Sequence, residues 1–326
     1  MSFKLGQKII DTLRGKKTYF SCGAIRNSFN FYRSNKISSC CFTTDDSFII
    51  SNIADYNDNL DGLIDDIINF QNKLILSHKN GCIPEACKNC TNLKKQSWGT
   101  KVKDKFGSVA MNHYKTCNLK CNHCGYREND LQEKDSDSEL ILKVLKKLKS
   151  ENKMDKNFSI ALGGGEPSIN KGVENILKYC LENHIGAEIN SNCAKYSEIM
   201  AEGAKQGLFE LILTPDAGSK DVYLKIKGAD FFDTAWENIR KYVETTGDNY
   251  IVKFIIEEGN KDDVENMIEM CRQNNVKNVA LSFDIGIEKK DLPLYKEAVN
   301  KFIKLAKENN FNLKTYSYVP KELIEV

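Results

Sequence analysis

The run KTCNLKCNHCGY, Lys115 to Tyr126, carries three cysteines at C-x3-C-x2-C spacing: Cys117, Cys121 and Cys124. No other feature constrains the fold as much, because a framework has to present three thiols together on one short loop. A four-iron cluster is normally held by four thiolates. Three thiolates leave one iron without a protein ligand, and an open coordination position is what a catalytic metal site requires.

The chain has 326 residues and twelve cysteines. No apolar run is long enough to cross a bilayer. The start, MSFKLGQKIIDTLRGKKTYF, patterns as a short amphipathic helix without the cleavage site of a signal peptide. A cytoplasmic location is therefore expected, where thiols stay reduced and clustered cysteines point to metal rather than to disulfides. Cys22, Cys40, Cys41, Cys82, Cys87 and Cys90 precede the three-cysteine loop, whereas Cys180, Cys193 and Cys271 are scattered after it. Metal chemistry is thus concentrated in the first part of the chain. A net charge of +2 is too balanced for a phosphate-tracking surface. Neither nucleic acid nor a membrane is expected as a partner.

From residue 104 onward the pattern alternates between apolar runs and amphipathic helical runs. The strand candidates are 108–114, 158–164, 187–192, 210–216, 250–256 and 279–285, with a further one at 312–318. Helical patterns fall at 138–150, 172–183, 262–274 and 294–309. Such alternation predicts a parallel sheet with crossover helices. Six units predict an α/β fold, a partial (β/α)6 TIM-like barrel over 104–326. Residues 1–103 read as a small cysteine-rich module, with the polar, lysine-rich stretch 91–107 as the linker.

The cysteine loop follows the first barrel strand, at the edge where barrel enzymes place their chemistry. After the second strand comes LGGGEP, with Gly163, Gly164, Gly165, Glu166 and Pro167. Glycines there let backbone groups approach a ligand closely, and the following acid can accept from an ammonium group. The third strand ends at Ser191, Asn192 and Cys193, the fourth at Asp216. Turn or cap roles are the plain alternatives for Ser191, Asn192 and Asp216.

The C-x3-C-x2-C loop followed by the aromatic Tyr126, together with GGEP after the second strand, resembles the radical S-adenosylmethionine (SAM) superfamily over about residues 108–318. The resemblance implies that Cys117, Cys121 and Cys124 hold a [4Fe–4S] cluster. Its free iron would chelate the methionine part of SAM. Reductive cleavage of SAM would then yield a 5′-deoxyadenosyl radical that abstracts hydrogen from a carbon of the substrate. Gly164, Gly165 and Glu166 would hold the methionine amino group, and Tyr126 would lie beside the adenine. Ser191, Asn192 and Asp216 would meet the ribose or the carboxylate. An electron donor such as flavodoxin or ferredoxin is implied.

The N-terminal cysteines have their own logic. After Cys22 an alternating stretch turns at Ser34–Asn35 and ends at Cys40–Cys41, which predicts a β-hairpin. Cys82, Cys87 and Cys90 follow a helical run, and C-x2-C is a metal-ligand spacing. The pattern resembles the SPASM or Twitch auxiliary-cluster modules of the same superfamily, which follow the barrel rather than precede it. It implies a second [4Fe–4S] cluster on Cys22, Cys40, Cys87 and Cys90. Cys41 is an alternative to Cys40, Cys82 a further candidate, and structural zinc the rival occupant. Relatives with such modules often crosslink, epimerise or oxidise peptides. Others act on sugars or small metabolites, so the substrate is expected to be a peptide or a small molecule.

Cys193 sits where a thiol can return a hydrogen atom to a substrate radical and is the candidate catalytic residue, with a small core residue as the alternative. Cys180 and Cys271 fall in amphipathic helices and read as core. A zinc site with His123 as fourth ligand is the rival for the three-cysteine loop. A non-catalytic iron–sulfur or zinc scaffold is the rival for the whole chain.

Overall fold

The computed structural model describes residues 18–40, 45–56, 60–88, 90, 92–99, 104–124, 135–284, 286–316 and 319–325. Most of the N-terminal amphipathic run, Cys41 and Tyr126 lie outside the described residues. The chain divides into two compact units: residues 1–113 with 139–158, and residues 114–138 with 159–326.

In the first unit the elements run β1 (Tyr19–Ser21), α1 (Ala24–Asn27), β2 (Ser28–Tyr32), β3 (Lys36–Ser38), β4 (Ile49–Asn52), α2 (Leu60–Lys79), α3 (Glu85–Lys88), β5 (Lys94–Gln96), β6 (Phe106–Asn112) and α4 (Ser138–Ser150). Strand β7 (Met154–Leu162) begins here and ends in the second unit. The expected hairpin is β2–β3, with Asn30 opposite Ser38 and Phe31 opposite Ile37. Ser34 and Asn35 both adopt positive φ, and Lys36 N donates to Arg33 O. That is a type I′ turn, whose twist matches a hairpin. Helix α1 intervenes between Cys22 and the hairpin.

Strand β2 also pairs in parallel with β6, from Ser28–Ser108 to Tyr32–Asn112. The four strands lie in the order β6-β2-β3-β4. Phe29 packs edge-on against Phe31 and Phe106 in the core. Helix α2 buries Leu60, Leu63, Ile64, Ile67 and Ile75, a helical stripe. Its end packs against α1 through a small cluster of Ile75, Leu74, Ile25 and Cys22.

The second unit adds α5 (Lys171–Glu182), β8 (Gly186–Ser191), α6 (Glu198–Lys205), β9 (Phe209–Leu213), α7 (Lys220–Lys227), α8 (Phe232–Thr246), β10 (Tyr250–Ile256), α9 (Val264–Gln273), β11 (Asn278–Phe283), α10 (Lys296–Glu308) and β12 (Asn312–Thr315). The strands run in sequence order from β7 to β12, every neighbour parallel. This is the expected α/β sheet with crossover helices. On β10, Val252, Phe254 and Ile256 are fully buried. The opposite face carries Ile251, packed with Ile212, Ala280 and Tyr316. Asn190, Ile212 and Ile251 are in register across β8, β9 and β10. Among the described residues, no helix is long and apolar enough to cross a membrane.

Candidate active site

The cysteine loop is held from below by the end of α7. The last carbonyls of a helix have no partner within it. Here Lys120 N donates to Lys227 O at 2.8 Å and Asn122 N to Ile226 O at 2.9 Å. The Asn122 side chain donates to Lys225 O. Upstream, Asp135 accepts from Lys115 N at 2.8 Å and from the Thr116 hydroxyl at 2.6 Å. The loop is thus built by groups distant in sequence.

The glycine loop lies against the chain just before the first cysteine. Gly165 N donates to Tyr114 O and Glu166 N to Thr116 O, both at 2.9 Å. Gly164 has φ +90°, which side chains rarely adopt. A Cβ on Gly165 would stand 2.2 Å from Thr116 O. Only glycine permits this contact.

Glu166 is almost fully buried. Its Oε1 accepts from Ser168 N and from the Ser191 hydroxyl, and its Oε2 accepts from Asn192 N at 2.7 Å. Burial pushes its carboxyl up, and those donors work against the rise. The carboxylate therefore ties the glycine loop to the end of β8. From there the Asn192 amide donates to Asn118 Oδ1 at 2.9 Å and stands 3.7 Å from the Cys117 sulfur. Glu166, Ser191, Asn192 and Cys117 form one connected cluster.

Asp216 is fully buried at the end of β9, in the left-handed region. Its Oδ2 pairs with Lys227 Nζ at 2.5 Å, and its Oδ1 accepts from Ile255 N at 2.9 Å. Lys227 Nζ also donates to Thr214 O. Burial alone would raise the Asp216 carboxyl, but Lys227, and then His123, hold it below its ordinary range. Burial would lower the Lys227 ammonium, yet Asp216 and Cys121 keep it above its ordinary value.

Sequence reasoning missed Lys227, Glu257 and Asn118. His123, the rival zinc ligand, presents Nδ1 to Glu257 Oε2 at 3.1 Å and Nε2 to Asp216 Oδ2 at 3.7 Å. Both ring nitrogens face carboxylates. Among the described residues, no group of three or more His, Cys, Asp or Glu side chains is placed to hold a single metal ion.

The chemistry of the donor set fits a cluster with one open position. Cys117, Cys121 and Cys124 lie in electrostatic reach of one another. Buried Glu257 Oε1 has no hydrogen-bond partner among the described residues, leaving an open acceptor next to His123. Burial pushes the Cys121 thiol up to about 11, with Lys227 opposing. Iron binds the thiolate, so loading releases protons. A thiol raised above its ordinary 9.0 is protonated at neutral pH and ionises only as pH climbs toward that value. Anaerobic iron uptake by the apo protein is accordingly expected to rise between about pH 7 and about pH 9, read by bound iron after desalting. A flat profile would contradict it.

Cys193 is fully buried and its thiol is raised by that burial. Its Sγ faces Ser191 O, and its own carbonyl accepts from Asn238. Cys180 and Cys271 are buried as expected, while Cys82 and Cys117 are exposed. Buried thiols of raised pKa are inert. Iodoacetamide on the native apo protein should therefore modify exposed Cys82 and spare Cys193 until the chain unfolds, as read by peptide mass spectrometry. Labelling of Cys193 in the native state would contradict this inertness.

Lys253 shares its face of β10 with Ile251. Its Nζ donates to Asn190 Oδ1 at 3.2 Å and lies 5.7 Å from the centre of the Tyr316 ring. Burial lowers this ammonium, with Asp216 opposing. It forms no ion pair with a carboxylate among the described residues.

In the first unit, Cys40, Cys90 and Cys22 lie in electrostatic reach of Cys87. Burial pushes the Cys87 thiol up to about 11, and Cys40, Cys90 and Cys22 add to the rise. Cys40 is fixed by a two-way exchange with the Ser38 hydroxyl. Cys90 N donates to Cys87 O, closing the C-x2-C turn.

The comparisons with known proteins agree with this chemistry. Residues 111–271 match the model of the radical SAM superfamily. Fe-coproporphyrin III synthase of Methanosarcina barkeri is 27% identical over 177 residues, covering 53% of this chain and 43% of that protein. Streptococcus suis SuiB bound to S-adenosylmethionine superposes with TM-score 0.52 at 15% identity, over 65% of this chain and 50% of SuiB. SuiB bound to its precursor peptide SuiA gives TM-score 0.51 at 15% identity, over 77% and 63%. The chain spans less than half the length of the curated relative and about half that of SuiB. At these identities the structures speak for the fold, a partial TIM-like barrel. The family match covers both the cysteine loop and the glycine loop, and residues 111–271 form a radical SAM superfamily domain.

Proposed function

We propose that this chain is a peptide-modifying radical SAM enzyme that abstracts a hydrogen atom from a carbon of its substrate. Cys117, Cys121 and Cys124 hold a [4Fe–4S] cluster, and SAM binds beside Gly164, Gly165 and Glu166. The bound cluster and SAM supply one-electron cleavage chemistry. The chain's own residues hold the parts. Lys227 and the α7 carbonyls position the cysteine loop, and Glu166 locks Ser191 and Asn192 against it. Lys253 offers a cation to an anionic group of the substrate.

The observation that carries this reading is that three thiols share a pinned loop while His123, the adjacent alternative ligand, is turned to two carboxylates. The peptide assignment is supported by the likeness of fold to SuiB, which is seen with its precursor peptide. Cys22, Cys40, Cys87 and Cys90 hold a second [4Fe–4S] cluster, fully ligated and suited to passing electrons. A small redox protein of the flavodoxin or ferredoxin type supplies the electron.

The test is anaerobic reconstitution. About eight irons per chain are expected, with release of 5′-deoxyadenosine and methionine from SAM on reduction. A precursor peptide encoded beside the gene should stimulate that release. About four irons would remove the second cluster. Full loading without SAM cleavage would leave a scaffold, and stimulation by a sugar nucleotide instead of the peptide would move the substrate class.

A further inference from the structure

Four buried polar atoms on the elements next to Cys22 lack a partner among the described residues: Ser21 Oγ, Arg26 Nε, and both ring nitrogens of His78. Ser21 and His78 are essentially without exposed surface. Buried donors in folded proteins are nearly always paired, so a group of orphans marks something that binds there.

Their placement is specific. Ser21 ends β1 and is the chain neighbour of Cys22. Arg26 lies one turn further on, in α1. His78 is in the last turn of α2, one turn beyond Leu74 and Ile75, which pack against Cys22 and Ile25. Residues three and four apart share a helix face, so His78 continues the stripe that covers Cys22. Arg26 and His78 also feel each other's charge, and burial followed by Arg26 keeps the imidazole below its ordinary pKa. A neutral imidazole has one N–H to give.

The guanidinium is already oriented. Its Nη2 donates to Tyr19 Oη and Gly99 O, and its plane lies 5.2 Å from the Trp98 ring centre. The Nε–H direction is therefore set by contacts on the other side of the group. A hydroxyl, a guanidinium N–H and an imidazole N–H without partners thus lie on the three elements that flank Cys22, one of the four thiols. Three donors call for an anionic acceptor with many lone pairs, which thiolates and sulfides on a cluster provide. Hydrogen bonds to cluster sulfurs raise the reduction potential.

We propose that Ser21, Arg26 and His78 donate hydrogen bonds to the sulfurs of the cluster held by Cys22, Cys40, Cys87 and Cys90, and so set its potential above that of the undecorated cluster. This rests on the reading that the N-terminal thiols hold an iron–sulfur cluster.

The experiment uses the full chain with Cys117, Cys121 and Cys124 all changed to Ala, reconstituted anaerobically with iron and sulfide. About four irons should remain. Redox titration followed by electron paramagnetic resonance should then show the midpoint potential falling in His78→Leu, in Ser21→Ala and further in the pair, at constant iron content. Resonance Raman iron–sulfur stretches should shift in deuterated water for the parent and less for the variants. Should His78→Leu fail to fold, Ser21→Ala and Arg26→Lys carry the test. Unchanged potentials and deuterium shifts with about four irons still bound would overturn the donor assignment alone, as would potentials that move only with loss of iron. Absence of iron from the triple-cysteine variant would overturn the second cluster itself, and the donor role with it.

Discussion

Lys227→Met is expected to lower the unfolding free energy of the apo protein by about 3–5 kcal/mol, the usual cost of stranding one member of a buried ion pair. Lys227 is 2% exposed and Asp216 fully buried. Without the ammonium, the carboxylate keeps Ile255 N at 2.9 Å, the more distant His123 and the field of Lys253. The same lysine carries the carbonyl that holds Lys120, so iron loading at the cysteine loop should fall along with stability. Replacing both partners together, Lys227→Met with Asp216→Leu, should recover most of the loss, because an apolar pair leaves no charge unpaired.

The pH dependence has a definite sign. Asp216 is held below its ordinary range, so its contribution is present above the unfolded carboxyl value of about 3.9 and is lost as pH falls toward the folded value. That acid-side loss should be weaker in Lys227→Met. Urea melts followed by circular dichroism measure both effects. A single variant within about 1 kcal/mol of the parent would refute the buried-pair account.

Glu166→Gln is expected to weaken SAM binding by about tenfold to a hundredfold. The carboxylate accepts three hydrogen bonds, from Ser168 N, Ser191 Oγ and Asn192 N. An amide turns one acceptor oxygen into a donor, which then faces a donor of the protein. Losing one hydrogen bond to a charged group costs about 1.5–3 kcal/mol, and each 1.4 kcal/mol is roughly tenfold in affinity. The consequence is local: the end of β8 is released, and Asn192 leaves the Cys117 sulfur it stands beside. Calorimetric SAM titration of the cluster-loaded protein checks this, with iron content as the control. Unaltered SAM affinity with intact iron would show that Glu166 is only a turn residue.

The elements legible in the sequence were those with a strong period. Strand β10 falls on 250–256 and helix α4 on 138–150, as their alternating and amphipathic runs predict. The hairpin turn was legible too, because Ser34–Asn35 marks a left-handed pair. Strands predicted to run to 216 and 164 end earlier, at Leu213 and Leu162, because the residues beyond them turn to build the site. Helices α6, α7 and α8 are not legible in the sequence. Their short or interrupted apolar patterns follow turn-forming residues, and tertiary packing decides them.

Local spacing alone set the chemistry: three thiols on one loop, glycines where the backbone must come close, and a C-x2-C pair in the N-terminal half. These needs are met within a few residues, so they are written in adjacent letters. Which charges meet was decided only by the fold. Lys227, at the far end of α7, reaches Asp216 from 11 positions away, and His123 reaches Glu257 from 134 positions away. Parallel strands place their C-terminal ends side by side whatever the chain distance between them, and a buried ion pair exists only once that neighbourhood has formed.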